Sequence, residues 1–268
     1  MNKLHDDKLS VTILGCGSSG GVPRLSDGWG LCDPNNIKNN RLRCSILLTH
    51  ETLLGKSWYL IDTSPDLRQQ LLKAKINYLD GVIFTHSHAD HMHGIDDLRM
   101  IFFKRKSRIP IWGNYETLNR ISLSFKYLLE QEQGTKYPPI LISNTINDNF
   151  KLNGTSGKIL VEPLLVKHGD IDALGFKINK MAYIPDISDF YQDTFSKLYN
   201  LDILIIDALR RNPHPAHAHL EKTLNWIEKL KPKKAILTNM HNDLDYEAIK
   251  KETPENVEPA HDGLIINL

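Results

Sequence analysis

The feature that most constrains this chain is a short histidine-rich segment that directly follows an apolar run. The segment HSHADH occupies residues 86–91, and the run GVIFT before it, residues 81–85, predicts a buried strand. Neutral imidazoles suit Zn²⁺ and other transition metals, and a carboxylate adds negative charge that helps hold a second cation nearby. A single histidine is often only a polar loop residue, but four potential ligands within six residues indicate a metal site.

The order of these side chains determines how they can be used. In an extended segment leaving a strand, alternate side chains project to the same side, so His86 and His88 can reach one cation. Asp90 and His91 follow and can turn towards a second point close by. This segment can therefore supply ligands to two metal ions.

Three further candidate ligands lie later in the chain, each directly after a β-rich run. They are His168, Asp186 and His241. The ligand-binding side chains of open α/β sheets gather just beyond the carboxyl ends of strands. Taken singly, each residue also fits a surface position or, for Asp186, the cap of a turn or helix. Their combination with residues 86–91 favours a metal site.

The pattern of apolar runs predicts a mixed α/β chain. Short β-rich runs occur at residues 11–14, 46–49, 58–61, 82–85, 159–166, 176–178, 182–184, 203–206 and 235–237. Helical patterns cover residues 65–74, 97–104, 115–130 and 220–230. The polar run at residues 144–157 predicts a loop or a short hairpin. Since α/β chains of this length often form one domain, we expect a single domain over residues 1–268.

Composition and charge exclude several classes of partner. The 33 Lys and Arg residues balance 32 Asp and Glu residues, so no net positive field attracts nucleic acid. No apolar stretch approaches the length that spans a bilayer, and the first ten residues lack a signal-peptide pattern. Three cysteines without a CxxC motif fit reduced thiols. We therefore expect a cytoplasmic protein with neither a membrane nor a nucleic acid as partner.

Together, the histidine segment and the three later ligands resemble the metallo-β-lactamase superfamily across nearly the whole chain. That superfamily shows an HxHxDH segment followed in order by a His, an Asp and a His, each after a strand. The resemblance implies a four-layer αββα sandwich with its metals at one edge. It also implies about two divalent cations per chain, zinc or manganese.

The same resemblance distributes the ligands between the two cations. The first cation is held by His86, His88 and His168, the second by Asp90, His91 and His241, and Asp186 bridges them. We expect Asp90 to take part in catalysis as well as in metal binding.

Three further stretches resemble the PhnP family of phosphoribosyl 1,2-cyclic phosphate phosphodiesterases within that superfamily. They are GCGSSGGVP at residues 15–23, DTSPDLR at residues 62–68 and HMHGIDDLR at residues 91–99. These stretches are more specific than the metal ligands, which many unrelated activities share. They imply that a metal-activated water hydrolyses a small phosphodiester, above all a cyclic one, and that small phosphodiesters or nucleotides are the partners. The oligomeric state stays open, with a homodimer among the options.

A departing alkoxide needs a proton, and a histidine can supply one near neutral pH. His214, His217 and His219 lie just before the predicted helix at residues 220–230. The Pro-His-Pro-x-His pattern of the PhnP family favours His217 as the general acid and as a phosphate contact. For His214 and His219, solvent exposure at the helix entry is the favoured interpretation. The HMHGIDDLR stretch adds Asp97 as a substrate contact.

One motif points to another fold. Residues 15–20 match the G-x-G-x-x-G pattern of dinucleotide-binding folds, but that motif requires a helix directly after it. The sequence from residue 22 onwards is rich in Gly, Asp and Asn and predicts no helix there. We therefore reject a dinucleotide site and expect a tight loop. In that loop, Arg24 is a candidate substrate contact, and a purely structural turn is the alternative.

Two competing functions remain. The first is the transfer-RNA 3' processing endonuclease of the same fold, which docks RNA on a Gly-rich and basic arm. No such insertion lies between the ligand clusters here, and the charge balance is neutral. The second is a non-catalytic nucleotide-binding member, which missing ligands would mark. None of the seven ligands is missing.

Overall fold

The computed structural model describes residues 7–131 and 133–268, which form two β-sheets with α-helices, so the predicted α/β class is confirmed. The strands are β1 (Lys8–Gly15), β2 (Ser45–Thr52), β3 (Gly55–Ile61), β4 (Gly81–Ile83), β5 (Ile109–Gly113), β6 (Leu141–Thr145), β7 (Phe150–Gly154), β8 (Gly157–His168), β9 (Ile171–Ile178), β10 (Met181–Ile184), β11 (Asp189–Phe190), β12 (Ile203–Asp207), β13 (Lys234–Thr238), β14 (Val257–Pro259) and β15 (Ile265–Asn267). The α-helices are α1 (Leu67–Lys73), α2 (Ala89–Met92), α3 (Leu98–Arg105), α4 (Tyr115–Ser124), α5 (Lys126–Leu129), α6 (Gln192–Ser196), α7 (Leu220–Leu230) and α8 (Tyr246–Glu252). Short 3-10 helices cover Ile37–Asn39 and Ile95–Asp97.

The first of two compact units consists mainly of residues 45–160 and carries a seven-stranded sheet in the order β15-β1-β2-β3-β4-β5-β6. β2 and β3 form an antiparallel hairpin, whereas β3, β4, β5 and β6 run parallel to one another. Parallel strands end at the same edge of a sheet. Asp62, directly after β3, therefore lies beside the end of β4, where its N–H donates to the Ile83 carbonyl oxygen at 2.9 Å.

The second unit consists mainly of residues 13–44 and 161–264, and its sheet has the order β11-β8-β9-β10-β12-β13-β14. β10, β12, β13 and β14 are parallel, while β9 is antiparallel to both β8 and β10. Because of this arrangement, the end of β8 at His168 lies at the same edge as the carboxyl ends of β10 and β12. Asp186 and Asp207 lie at or just beyond those ends.

The core of the second unit is built from buried strands and one amphipathic helix. In β12 and β13 every residue except the first is buried, as expected for parallel strands covered on both faces. Helix α7 has the predicted bounds of residues 220–230. Its buried stripe consists of Leu220, Thr223, Trp226, Ile227 and Leu230. None of the helices in the described part of the chain is long and apolar enough to span a membrane.

The glycine-rich stretch after β1 is a close-packed loop. Residues 16–36, all of which are described, form no helix, so the element that a dinucleotide motif needs does not follow the strand. Gly17 instead forms backbone bridges to Arg43 and Met240. A Cβ atom at Gly17 would lie 2.9 Å from the carbonyl oxygen of Arg41, so only glycine fits this approach.

Several elements, among them β6, β14, β15, α6 and α8, have no counterpart in the sequence prediction, and two further regions differ from it. The helix predicted at residues 115–130 is interrupted at Phe125, whose ring packs edge-on against His93 with ring centroids 5.7 Å apart. The backbone of Phe125 leaves the helical region there, with φ −133° and ψ 38°, although the apolar pattern continues past it. The sequence does not predict β5, because Pro110 argues against a central strand. In the structure, the pairing of β5 with β4 begins after the proline, at Ile111.

Candidate metal centre

The histidine segment of the first unit leaves the end of β4 and enters the short helix α2. His86 and His91 are buried, Asp90 is half-buried and His88 is exposed. The ring of His86 lies 4.6 Å from that of His88 and 4.3 Å from that of His91, measured between centroids. Asp90 Oδ2 lies 3.5 Å from His91 Nε2. All four side chains predicted from this segment are therefore close together.

A buried carboxylate sets the orientation of these imidazoles. Asp62 is fully buried, and its Oδ2 accepts from His91 Nδ1 at 2.8 Å and from the Thr85 hydroxyl at 2.8 Å. Thr85 Oγ1 lies 3.0 Å from His86 Nδ1. Because the Thr85 hydroxyl donates its own proton to Asp62, its oxygen is the acceptor for His86 Nδ1. Both Nδ1 atoms thus donate within the protein, which leaves Nε2 as the ring nitrogen that can bind a metal.

The loop that carries Asp62 is held against the turn after the histidine segment. The Thr63 hydroxyl donates to the Met92 carbonyl oxygen at 3.0 Å, and the Gly94 N–H donates to the Thr63 carbonyl oxygen at 2.9 Å. A Cβ atom at Gly94 would lie 2.0 Å from the Ser64 carbonyl oxygen. The two stretches at residues 62–68 and 91–99 are therefore packed directly against each other.

In the second unit, His168, Asp186 and His217 converge. One ligand atom from each of these three residues lies within 4.8 Å of the other two, close enough to share a cation. His168 Nε2 is 3.6 Å from Asp186 Oδ2, and His168 Nδ1 donates to the Ala216 carbonyl oxygen at 2.7 Å. His168 and Asp186 are both buried at the edge of the sheet. The unit therefore offers a donor set of two imidazoles and one carboxylate.

His217 has a second carboxylate beside it. Its Nδ1 donates to Oδ2 of the fully buried Asp207 at 2.8 Å and lies 3.8 Å from Asp186 Oδ2. Burial raises the pKa of Asp207 to about 7, against the opposing charge of His217. Asn239 donates to Asp186 Oδ1 at 3.4 Å and lies 3.2 Å from His217 Nδ1. With Nδ1 engaged, Nε2 of His217 is the atom that can carry or release a proton.

His241 lies just after β13, about one-fifth exposed, with its Nδ1 3.5 Å from Asp243 Oδ1. Burial lowers the pKa of His241, and the charge of Arg24 lowers it further. Arg24 itself pairs with Asp27 at 3.3 Å. The predicted ligand His241 and the predicted substrate contact Arg24 thus each have a carboxylate partner in the second unit.

The three remaining candidates are half-buried or exposed. His214 is half-buried, with its ring centroid 5.1 Å from that of His217. His219 is half-buried at the start of α7 and makes no side-chain cap bond there. Asp97 is exposed at the start of α3.

Sequence reasoning does not find three of the residues that organise these donors: Asp62, Asp207 and Asn239. The first belongs to a stretch noted for its resemblance, but nothing in its spacing from residue 91 indicates a bond between them. Asp207 and Asn239 follow the apolar runs of β12 and β13. The strand-end rule that selected Asp186 and His241 applies to both of them equally and could have identified them.

The donor sets suit transition metals. Each unit presents neutral imidazoles together with a carboxylate, and in each a ring nitrogen is fixed by a hydrogen bond to a carboxylate or a carbonyl oxygen. Such outer hydrogen bonds orient metal-binding histidines and raise their basicity. The residues present therefore fit Zn²⁺ or a similar cation.

Comparison with known proteins identifies related chains. The family model described as the beta-lactamase superfamily domain matches residues 57–240. A crystal structure described as a new diphosphatase from the PhnP family is 31% identical, with a TM-score of 0.87, and the match covers 97% of this chain and 98% of that one. The Zn²⁺-bound PqqB of Methylobacterium extorquens is 18% identical, with a TM-score of 0.75 over 97% and 100% of the two chains, which shows a shared fold alone.

A relative from Porphyromonas gingivalis named octanoyltransferase is 32% identical over 261 residues. The match covers 96% of this chain but 51% of the relative, so the chain spans about half the length of that protein. The name describes the whole of the longer protein. These likenesses confirm the fold and the PhnP-like character predicted from the sequence.

Proposed function

Because the chain belongs to the β-lactamase superfamily, we propose that it is a metal-dependent phosphodiesterase acting on a small, preferably cyclic, phosphodiester. The observation that carries this proposal is the support given to the imidazoles of each unit. In one unit His91 donates to the fully buried carboxylate of Asp62, and in the other His217 donates to the fully buried carboxylate of Asp207. Surface histidines rarely receive such support, whereas metal-binding and catalytic histidines usually do.

We assign the metal ligands by the superfamily pattern. By that pattern, the cations would be held by His86, His88, Asp90, His91, His168, Asp186 and His241. Two bound cations, zinc or manganese, lower the pKa of a water molecule and stabilise negative charge on phosphate oxygens. Asp90, whose Oδ2 lies 3.5 Å from His91 Nε2, is the proposed catalytic carboxylate.

His217 supplies the proton that the leaving alkoxide needs. Its Nδ1 bond to Asp207 orients the ring so that Nε2, which carries a proton in the imidazolium form, faces away from the carboxylate. About 15% of the side chain is exposed, in contrast to the fully buried His91, so a substrate can reach it. Arg24 and the exposed Asp97 are the proposed substrate contacts.

A second candidate is a diphosphatase, which cleaves a phosphoanhydride instead of a phosphodiester. It is favoured by the likeness to the PhnP-family diphosphatase, since 31% identity extends over nearly the whole of both chains. When a phosphoanhydride is hydrolysed, the leaving group is a phosphate, which is a better leaving group than an alkoxide. Protonation by His217 matters less in that reaction.

Turnover by the purified, metal-loaded chain tests the proposal. The panel comprises ribose cyclic phosphates, cyclic nucleotides, linear dinucleotides, a nucleoside diphosphate and a precursor transfer RNA. We expect hydrolysis of the small phosphodiesters and its loss after chelation. Preference for the nucleoside diphosphate would select the second candidate. Efficient 3' trimming of the transfer RNA with inert cyclic phosphates would overturn the proposal in favour of the endonuclease.

A further inference from the structure

A cleft on the first unit lies outside the residues assigned to metal binding and proton transfer. It encloses about 470 Å³, and its described lining consists of Arg99, Tyr127, Thr135 and Tyr137. Small-molecule sites commonly have volumes of about 300–1,000 Å³, so the cleft is large enough for a ligand. The lining combines one cation, two aromatic rings and one hydroxyl.

The cation and one ring are already arranged for binding. Arg99 Nη2 donates to Asp96 Oδ1 at 3.0 Å, and the Tyr127 hydroxyl donates to the same oxygen at 3.0 Å. The guanidinium carbon lies 5.7 Å from the centroid of the Tyr127 ring. Asp96 thus fixes both side chains, while the guanidinium has five N–H donors in all. Donors remain for an anionic ligand.

The cleft is joined to the histidine segment on two sides. Arg99 lies in the first turn of α3, eight residues after His91 along the chain. Tyr127 lies on α5, which follows Phe125, and the Phe125 ring packs against His93, with ring centroids 5.7 Å apart. Both walls of the cleft are therefore connected through the chain to the turn that follows residues 86–91.

The chemistry of the lining selects a class of ligand. An arginine binds phosphate through several parallel hydrogen bonds, and tyrosine rings stack on planar, electron-poor rings such as nucleobases. Tyr137 is 72% exposed, so its ring is open to such a partner. We propose that this cleft binds a nucleoside phosphate, with the base on the tyrosine rings and the phosphate on Arg99. As an account of substrate recognition, this rests on the proposed function, and it narrows the substrate to a nucleotide-containing phosphodiester.

Isothermal titration calorimetry of the metal-loaded chain tests the site. The probes are adenosine monophosphate and ribose 5-phosphate, which share the phosphate and sugar but differ in the base. A phosphate bound at the metals contributes to both ligands alike. We expect adenosine monophosphate to bind about tenfold more tightly, since stacking on an aromatic side chain contributes an effect of this size.

Two variants locate the preference, each with a matched control in the same unit. Tyr137→Ala should abolish the advantage of adenosine monophosphate, while Tyr115→Ala, at an exposed tyrosine of α4, should keep it. Arg99→Ala should lower the affinity for both ligands by about tenfold, because the phosphate contact is lost. Arg120→Ala, at an exposed arginine of α4, should weaken neither. Because Tyr137 is exposed, its replacement does not endanger folding.

Equal affinity for the two probes, or an unchanged preference in Tyr137→Ala, would overturn the nucleotide site. Turnover of bis(4-nitrophenyl) phosphate by the same wild-type preparation reports separately on the proposed function. Turnover without a base preference contradicts the nucleotide site alone. A base preference lost in Tyr137→Ala, without turnover of any phosphodiester, supports the nucleotide site and contradicts the phosphodiesterase.

Discussion

The Asp62–His91 pair of the first unit and the Asp207–His217 pair of the second share the same bond and differ in their surroundings. In each, a fully buried carboxylate accepts from Nδ1 at 2.8 Å. His91 is completely buried beside His86, whereas His217 is 15% exposed next to the half-buried His214. The same support therefore holds one imidazole in a closed ligand cluster and another at an accessible surface.

This difference separates the two proposed roles. A metal ligand can be fully buried, because its partner is the cation and not solvent. Burial is not required of every ligand, since the proposed ligand His88 is exposed and His241 is about one-fifth exposed. A general acid must reach the leaving group and regain its proton from solvent, so it needs some exposure. Burial, and not the bond to the carboxylate, is what distinguishes His91 from His217. The following variants test that distinction.

Replacing His217 is expected to have the largest effect. His217→Ala should lower kcat on a sugar or alkyl phosphodiester by about 10²- to 10⁴-fold, because the alkoxide then leaves without a proton. Hydrolysis of bis(4-nitrophenyl) phosphate should fall much less, since nitrophenolate is a stable leaving group. Steady-state kinetics on both substrates measure this, with metal content determined in parallel.

Three outcomes would change the assignment of His217. Equal losses on both substrates would leave it as a phosphate contact only. Loss of bound metal in His217→Ala would make it a third ligand beside His168 and Asp186, as their mutual approach within 4.8 Å allows. The selective pattern in His214→Ala or His219→Ala would move the acid role to that residue.

Asp62→Asn should have the second-largest effect. The carboxylate accepts from His91 and the Thr85 hydroxyl through one oxygen and from the Thr85 N–H through the other, whereas an amide has one acceptor oxygen and its NH2 group would face a donor. We therefore expect metal affinity to fall by about 10- to 100-fold. Competition with a fluorescent chelator measures the affinity. Asp80→Asn is the matched control, because Asp80 is buried in the same unit but accepts from the Trp58 N–H. Equal losses in the two variants would indicate a general effect on folding.

Asp207→Asn should have a smaller effect of a different kind. We expect kcat to fall by about tenfold with metal affinity unchanged, because the amide no longer fixes the His217 tautomer. Kinetics and metal competition on the same preparation separate the two quantities. If metal affinity fell instead, the two carboxylates would serve the same purpose, and the distinction drawn from burial would be wrong.

Thr85→Val is expected to have the smallest effect on the chemistry and a measurable one on stability. It removes the hydroxyl that links Asp62 to His86 and leaves buried polar atoms without that partner. Such a loss costs about 1–3 kcal/mol of unfolding free energy. Urea denaturation of the metal-free chain measures it. A variant as stable as the wild type would show that the hydroxyl contributes nothing to the cluster.

The two units also differ in how much of them the sequence predicts. The ligand segment of the first unit is local, so composition and alternation over residues 86–91 suffice to identify it. In the second unit, His168, Asp186 and His217 are brought together by the order of β8, β10 and β12. The strand-end rule finds candidates there, but strand order cannot be read from periodicity. For His217, only the family pattern singles out one of three nearby histidines.

The supporting carboxylates lie beyond sequence reasoning for a related reason. Asp62 reaches His91 because β3 and β4 are parallel neighbours, a fact about pairing. The fold elements show the same limit. Helix α7 matches its predicted bounds because its apolar stripe is complete in the sequence, whereas α4 ends at Phe125, whose ring contacts His93. Local patterns are predicted well, and long-range contacts are not.

The central claim, a metal-dependent phosphodiesterase, is tested most directly by measuring hydrolysis of bis(4-nitrophenyl) phosphate while zinc or manganese is titrated into chelator-treated protein. We predict that the rate rises with bound metal and saturates at about two ions per chain, as determined by elemental analysis. A rate that is the same in metal-free protein, or no more than trace metal bound after reconstitution, would contradict the claim.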